Sequence, residues 1–161
     1  HYNCTPDILV TGKGLGGGMP IGAFTSSSTY MDLLQDNPKL GHITTFGGHP
    51  VIAAAALATL KEITESNLME KTLEKEQLIR QHLKHPLITE IRGRGLMLAV
   101  IMQSADITNE VVLRCKDEHL ILFWLLFEPK AIRITPPLTI SNDEIIKGCM
   151  IITRILDSIS A

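Results

Sequence analysis

The chain has 161 residues, 45% of them hydrophobic and 20% charged, with 15 basic against 17 acidic side chains. That length suits a domain of ordinary size with a real core, and a net charge of −2 with a normal apolar fraction excludes intrinsic disorder. The balanced charge leaves no basic field for nucleic acid or an anionic membrane, and no apolar run approaches the roughly 18 residues of a bilayer span.

The chain begins at His1, without Met or a signal peptide, and reaches a strand-like stretch at once, as a processed product or a piece of something longer would. Residues 7–11 read as a buried strand, and Gly12-Lys13-Gly14-Leu15-Gly16-Gly17-Gly18 as a flexible loop holding a lysine. Pro20–Phe24 reads as a second short strand, Tyr30–Gln35 as a short helix, and about 36–50 as a loop punctuated by Pro and Gly. From Val51 to Leu60 the pattern is helical and apolar all round, which predicts a helix packed inside.

Asn67 with Glu70 three residues on has the form of an N-cap and its carboxylate, opening a charged helix to about Leu83 with Leu68, Leu73, Leu78 and Leu83 on its apolar face. His85-Pro86 ends it. The remainder reads as a compact α/β unit. Strands are predicted at Ile88–Ile91 and Leu96–Met102 with Gly93 and Gly95 at the bend, then a helix over about 108–118 and strands at Leu120–Trp124 and Ala131–Thr135. Ser141 with Glu144 forms a capping box that opens a final helix. The composition shift near 85 suggests two subdomains joined by a helix.

Three cysteines, Cys4, Cys115 and Cys149, stand at wide spacing without a C-x-x-C pair, which argues against a disulfide scaffold and a structural zinc site. Idle or buried thiols in a reducing, cytoplasmic compartment are the expectation. The six histidines form no H-x-x-x-H or H-x-H set, so no metal is expected; His42 and His49 are the histidines nearest the candidate site.

The glycine loop admits three readings. A Walker phosphate loop needs Gly-Lys-Ser/Thr so that a hydroxyl reaches the metal, and Gly14 follows Lys13. A dinucleotide fingerprint is matched by Gly12-x-Gly14-x-x-Gly17, but it must open a helix, which Gly18, Pro20 and Gly22 oppose. In the third reading Lys13 stands at a strand end where glycines let a ligand approach, and its amine can form an imine with an aldehyde or carbonyl compound. A solvated surface lysine is the plain alternative.

Asp7-Ile8-Leu9-Val10-Thr11-Gly12-Lys13-Gly14-Leu15-Gly16-Gly17-Gly18-Met19-Pro20-Ile21-Gly22-Ala23 resembles the lysine segment of the class III pyridoxal-phosphate-dependent aminotransferases, the group of the ornithine, acetylornithine and 4-aminobutyrate enzymes. The resemblance implies that Lys13 carries pyridoxal 5'-phosphate as a Schiff base and acts as the catalytic acid and base. Thr44-Thr45-Phe46-Gly47-Gly48-His49-Pro50 resembles the family's turn in which the second threonine, here Thr45, meets the cofactor phosphate of the neighbouring subunit, with Thr44 beside it. His49 stands where Asn is usual. Ile132-Arg133-Ile134-Thr135-Pro136-Pro137-Leu138 resembles the segment whose arginine holds a substrate carboxylate, a task suited to a planar guanidinium. Arg92-Gly93-Arg94-Gly95-Leu96-Met97 resembles the entry to the family's small domain and reads as structural, while Phe123–Phe127 reads as core or dimer packing.

The resemblance implies an α/β chain that is the C-terminal part of a fold type I PLP-dependent transferase. Residues 1–65 would be the end of the large cofactor-binding domain, 66–85 a connecting helix, and 86–161 the small C-terminal α/β domain. The implied function is amino transfer from an amine-bearing amino acid, ornithine-type first, to a 2-oxo acid such as 2-oxoglutarate, in a homodimer. The isolated chain would be inactive, because the family's phosphate cup, ring-pairing acid and stacking aromatic precede the lysine segment by tens to hundreds of residues. A non-enzymatic degenerate relative or dimerisation module is the alternative.

Overall fold

A computed structural model describes residues 3–160 and divides into two compact units, one up to Ser66 and one from Asn67 on. In the first unit, β1 (Ile8–Gly12) pairs antiparallel with β2 (Gly22–Ser26), from Ile8 opposite Ser26 to Gly12 opposite Gly22. Ser26 Oγ closes the open end of this ribbon by donating to the Asp7 carbonyl at 2.6 Å. A single 3-10 turn, Lys13–Gly16, follows β1; the one-turn helix α1 (Ser28–Met31) and a 3-10 turn at Asp32–Leu34 follow β2. Turns lead to α2 (Pro50–Glu65), which Pro50 opens at its first position, where a missing N–H costs nothing, and which alanines carry forward.

Two expectations of burial in this unit are not met within this chain by itself. Ile8, Leu9 and Val10 are 55, 51 and 75% exposed, and along α2 only Ala56 is buried. A near-continuous apolar strand is hidden only when layers cover both of its faces. Here β1 has β2 as its one strand neighbour among the described residues, and α2 packs chiefly on the glycine turn.

The second unit holds a four-stranded antiparallel sheet in the order β3-β4-β6-β5, with β3 at Ile88–Arg94, β4 at Met97–Met102, β5 at Phe123–Leu125 and β6 at Glu128–Ile134. Helices α3 (Thr72–His82) and α4 (Ala105–Asp117) pack on the sheet, and α5 (Asn142–Ser160) packs on both of them. Leu83, Val100, Met102, Val111, Ile132 and Leu156 are each no more than 2% exposed and form the centre of one core. The Ser141 capping box is formed in full: Ser141 Oγ accepts from the Glu144 amide, and the Glu144 carboxylate accepts from the Ser141 amide at 2.8 Å and from its hydroxyl at 2.7 Å. Ser104 caps α4 by accepting from the Ile107 amide at 3.2 Å.

Four local expectations are corrected. Asn67 adopts a left-handed φ of +56° and turns the chain, so α3 starts at Thr72 rather than at an Asn67 cap. Its core residues are Ile79 and, just beyond its end, Leu83, whereas Leu73 is exposed. The strand predicted from Leu120 begins at Phe123, because His119 at φ +60° and the Leu120 amide, donating to the Cys115 carbonyl, first close α4. Of the two readings given to Phe123–Phe127, core or dimer packing, only the core is corrected: Phe123, Trp124, Leu126 and Phe127 lie on the edge strand and its hairpin turn and are 51, 45, 86 and 93% exposed.

Candidate active site

Lys13 is the first residue after β1 and takes a φ of +50°, a left-handed conformation that costs a side-chain-bearing residue about 1–2 kcal/mol. The conformation turns the chain at the strand end and leaves the lysine exposed, with open space around Gly14. Gly17 receives the turn. It sits at φ +57°, its amide donates to the Gly14 carbonyl at 3.1 Å, and a methyl group there would run into the Thr59 hydroxyl of α2. Thr59 is itself fixed by donating to the Ala55 carbonyl at 2.9 Å. The glycine loop is therefore a seated turn. No α-helix opens at Gly14–Gly18, only the 3-10 turn, so the context of a dinucleotide fingerprint is missing.

Across the ladder, Gly22 faces Gly12, the residue before Lys13. Gly22, Ala23, Thr44, Gly47 and His49 contribute to the wall of a cleft of about 540 Å³ in the first unit. Thr44 and Gly22 are thus brought to one cleft, one ladder rung from the lysine-bearing turn, and Thr45 stands exposed next to them. The Thr44–Pro50 turn is held by backbone bonds, Gly47 amide to Thr44 carbonyl at 3.1 Å and His49 amide to Phe46 carbonyl at 3.2 Å, with Gly48 at φ +70°. His49 occupies the cap position of α2 without a side-chain cap bond. His42 Nδ1 lies 3.2 Å from the Leu34 carbonyl. No cluster of His, Cys, Asp or Glu able to hold a metal occurs among the described residues.

Lys13 and Thr45 are not among the residues that line this cleft. Each group taken by itself suits a part of pyridoxal phosphate: the exposed Lys13 amine is the chemistry an aldehyde takes up, and the cleft wall holding Thr44 has a hydroxyl and no carboxylate to repel an anion.

Arg133 belongs to the second unit. It lies on β6 between Ala99 of β4 and Phe123 of β5, with its guanidinium carbon 5.1 Å from the centroid of the Phe123 ring. It borders an apolar cleft of about 370 Å³ with Thr135, Pro136 and Pro137. The loop beyond it is fastened by Lys75, a buried residue of α3 whose Nζ donates to the Leu138 carbonyl at 2.6 Å. Its neighbour Glu76 accepts from the Gly95 amide at 2.5 Å and from Arg80 at 2.9 Å, and Arg80 donates onward to the Ile91 carbonyl at 2.7 Å. Burial alone would raise the Glu76 pKa, but the Gly95 N–H and the Arg80 guanidinium outweigh it and hold the carboxyl below its usual range. Sequence reasoning missed Phe123, Thr59, Lys75 and Glu76 in these roles. The hairpin spacing from Phe123 to Arg133 was a usable signal; the other three depend on distant packing.

The Aminotransferase class-III family profile matches residues 1–156. A putrescine aminotransferase of Pectobacterium atrosepticum is 38% identical over 89% of this chain. Acetylornithine aminotransferases of Caldanaerobacter subterraneus and Mycobacterium leprae are 34 and 36% identical over 99 and 98% of it. The chain covers 32, 40 and 38% of those three relatives' own lengths. Among solved structures, an ornithine aminotransferase of Toxoplasma gondii superposes with a TM-score of 0.84 at 31% identity, over 99% of this chain and 39% of its own. An acetylornithine aminotransferase of Elizabethkingia anophelis gives 0.82 at 31% identity, over 98% of this chain and 40% of its own. The chain belongs to the class-III aminotransferases, a pyridoxal-phosphate-dependent family, and has part of that α/β transferase fold. No helix among the described residues is long and apolar enough to cross a membrane.

Proposed function

We propose that the complete protein is an aminotransferase that moves an amino group from an amine-bearing amino acid, ornithine-type first, to a 2-oxo acid such as 2-oxoglutarate. The observation that carries this reading is the placement of Lys13: an exposed amine in a left-handed turn at the end of β1, beside glycines that leave room for a ligand. Relatives named for acetylornithine and ornithine support an amino-acid donor, and the one named for putrescine supports a terminal amine as the reacting group.

Lys13 would hold the cofactor's aldehyde carbon and, once its amine is released, move a proton between the substrate carbon and the cofactor as base and then acid. Pyridoxal phosphate, when bound, supplies the electron sink for that proton transfer. Thr44 and Thr45 would donate hydroxyl bonds to the phosphate, Thr45 to that of the partner subunit in a homodimer. Arg133 would grip a substrate carboxylate through two parallel N–H bonds and orient the reacting carbon. A cytoplasmic location belongs to the same reading.

The test is a donor series. The complete gene product, supplied with pyridoxal phosphate and 2-oxoglutarate, is expected to form glutamate from ornithine, with acetylornithine, 4-aminobutyrate and putrescine as comparisons. Formation of glutamate from none of them would overturn the assignment.

A further inference from the structure

We propose that Phe123 is a positioning residue for Arg133, presenting its guanidinium to a carboxylate ligand from one strand away; this rests on the reading of Arg133 given above. The β-ladder holds the Arg133 backbone on both sides, at Ala99 and at Phe123, but it does not fix the head of a side chain with several rotatable bonds. Phe123 stands directly opposite, where cross-strand side chains are within reach of each other. The guanidinium lies over the ring, whose negative face attracts a cation while the edge of the fork stays available.

What surrounds the pair supports this role. The ion pairs seen for Arg80, Arg92, Arg114 and Arg154 each engage a glutamate of the chain, and Arg133 is in no such pair among the described residues. Glu144 borders the same cleft, but its carboxylate is taken by the Ser141 amide and hydroxyl. Within the described residues the guanidinium rests against a ring and not an acid, and a cation–π contact leaves the N–H donors for a carboxylate. Because Arg133 and Phe123 are both exposed, the ring's contribution is that of a solvent-accessible cation–π contact.

The probe is glutarate, titrated calorimetrically into the complete gene product and its variants. Phe123→Leu keeps an apolar side chain and removes the ring's charge distribution, so binding should weaken by about two- to fivefold. Phe123→Tyr keeps the ring and should restore wild-type affinity, a rescue that a merely space-filling role would not require. Affinity unchanged in Phe123→Leu, or lost equally in Phe123→Leu and Phe123→Tyr, would overturn the proposal. Arg133→Gln binding glutarate as well as wild type would show instead that Arg133 is not the carboxylate residue, which removes the underlying reading and the proposal with it. Glutarate carries neither amine nor ketone and is not turned over, so the titration reads carboxylate binding alone and a failed donor series is told apart from a failed positioning role.

Discussion

Lys75 Nζ donates to the Leu138 carbonyl at 2.6 Å, joining α3 to the Pro136-Pro137-Leu138 loop across 63 residues of sequence. Lysine is seldom buried without a partner, and at 8% exposure this one is held by a charge-assisted bond to backbone. Lys75→Met keeps the stem and deletes the donor, leaving a carbonyl to be satisfied otherwise. We expect a loss of about 1–3 kcal/mol, read as a shifted midpoint in urea unfolding.

Gly17 and Thr59 make a second such seat. Gly17→Ala must place a methyl group against the Thr59 hydroxyl while holding φ near +57°. The conformational part alone costs about 1–2 kcal/mol. The double variant Gly17→Ala, Thr59→Ala should recover the steric part and keep the conformational one. Thermal unfolding of the two variants separates these contributions.

The Glu76 carboxyl predicts a pH dependence. Its folded pKa is lowered, so its stabilisation is present above the unfolded carboxyl pKa and is lost as pH falls through the folded value. Stability should therefore decline on acidification below the ordinary carboxylate range, and Glu76→Gln should flatten that part of the decline while lowering stability at neutral pH. Urea midpoints at a series of acidic pH values measure both effects.

Thiol chemistry separates the cysteines. Burial pushes Cys115 up to about 11, with the Glu118 carboxylate adding to the rise, and burial pushes Cys149 to about 11 as well. Cys4 is exposed. A thiol reagent at mildly alkaline pH should modify Cys4 rapidly in the folded protein and reach Cys115 and Cys149 only on unfolding.

Elements governed by neighbouring residues were legible in the sequence. The Ser141 and Glu144 capping box forms as its spacing implies, and the β3–β4 bend needs glycine because Gly93 and Gly95 lie at φ +114° and +58°. Burial was less legible, since it depends on what lies opposite. Val10 and Leu57 have apolar surroundings in sequence yet are 75 and 54% exposed. Asn67 had the chemistry of a cap but turned left-handed, a choice Asn tolerates and spacing does not reveal. Lys13, Thr44 and Thr45 in the first unit, and Arg133 in the second, were picked out by their motifs. The residues that steady them, Thr59 on the glycine turn and Phe123 beneath the guanidinium, become visible only through packing and strand register.

That Lys13 is the amine that holds the cofactor can be tested by reductive trapping. The complete gene product is mixed with pyridoxal phosphate, reduced with borohydride and digested, and the modified lysine is located by mass. One stoichiometric adduct is expected, on Lys13, and Lys13→Ala should abolish it. An adduct spread evenly over other lysines, or one that persists unchanged in Lys13→Ala, would contradict it.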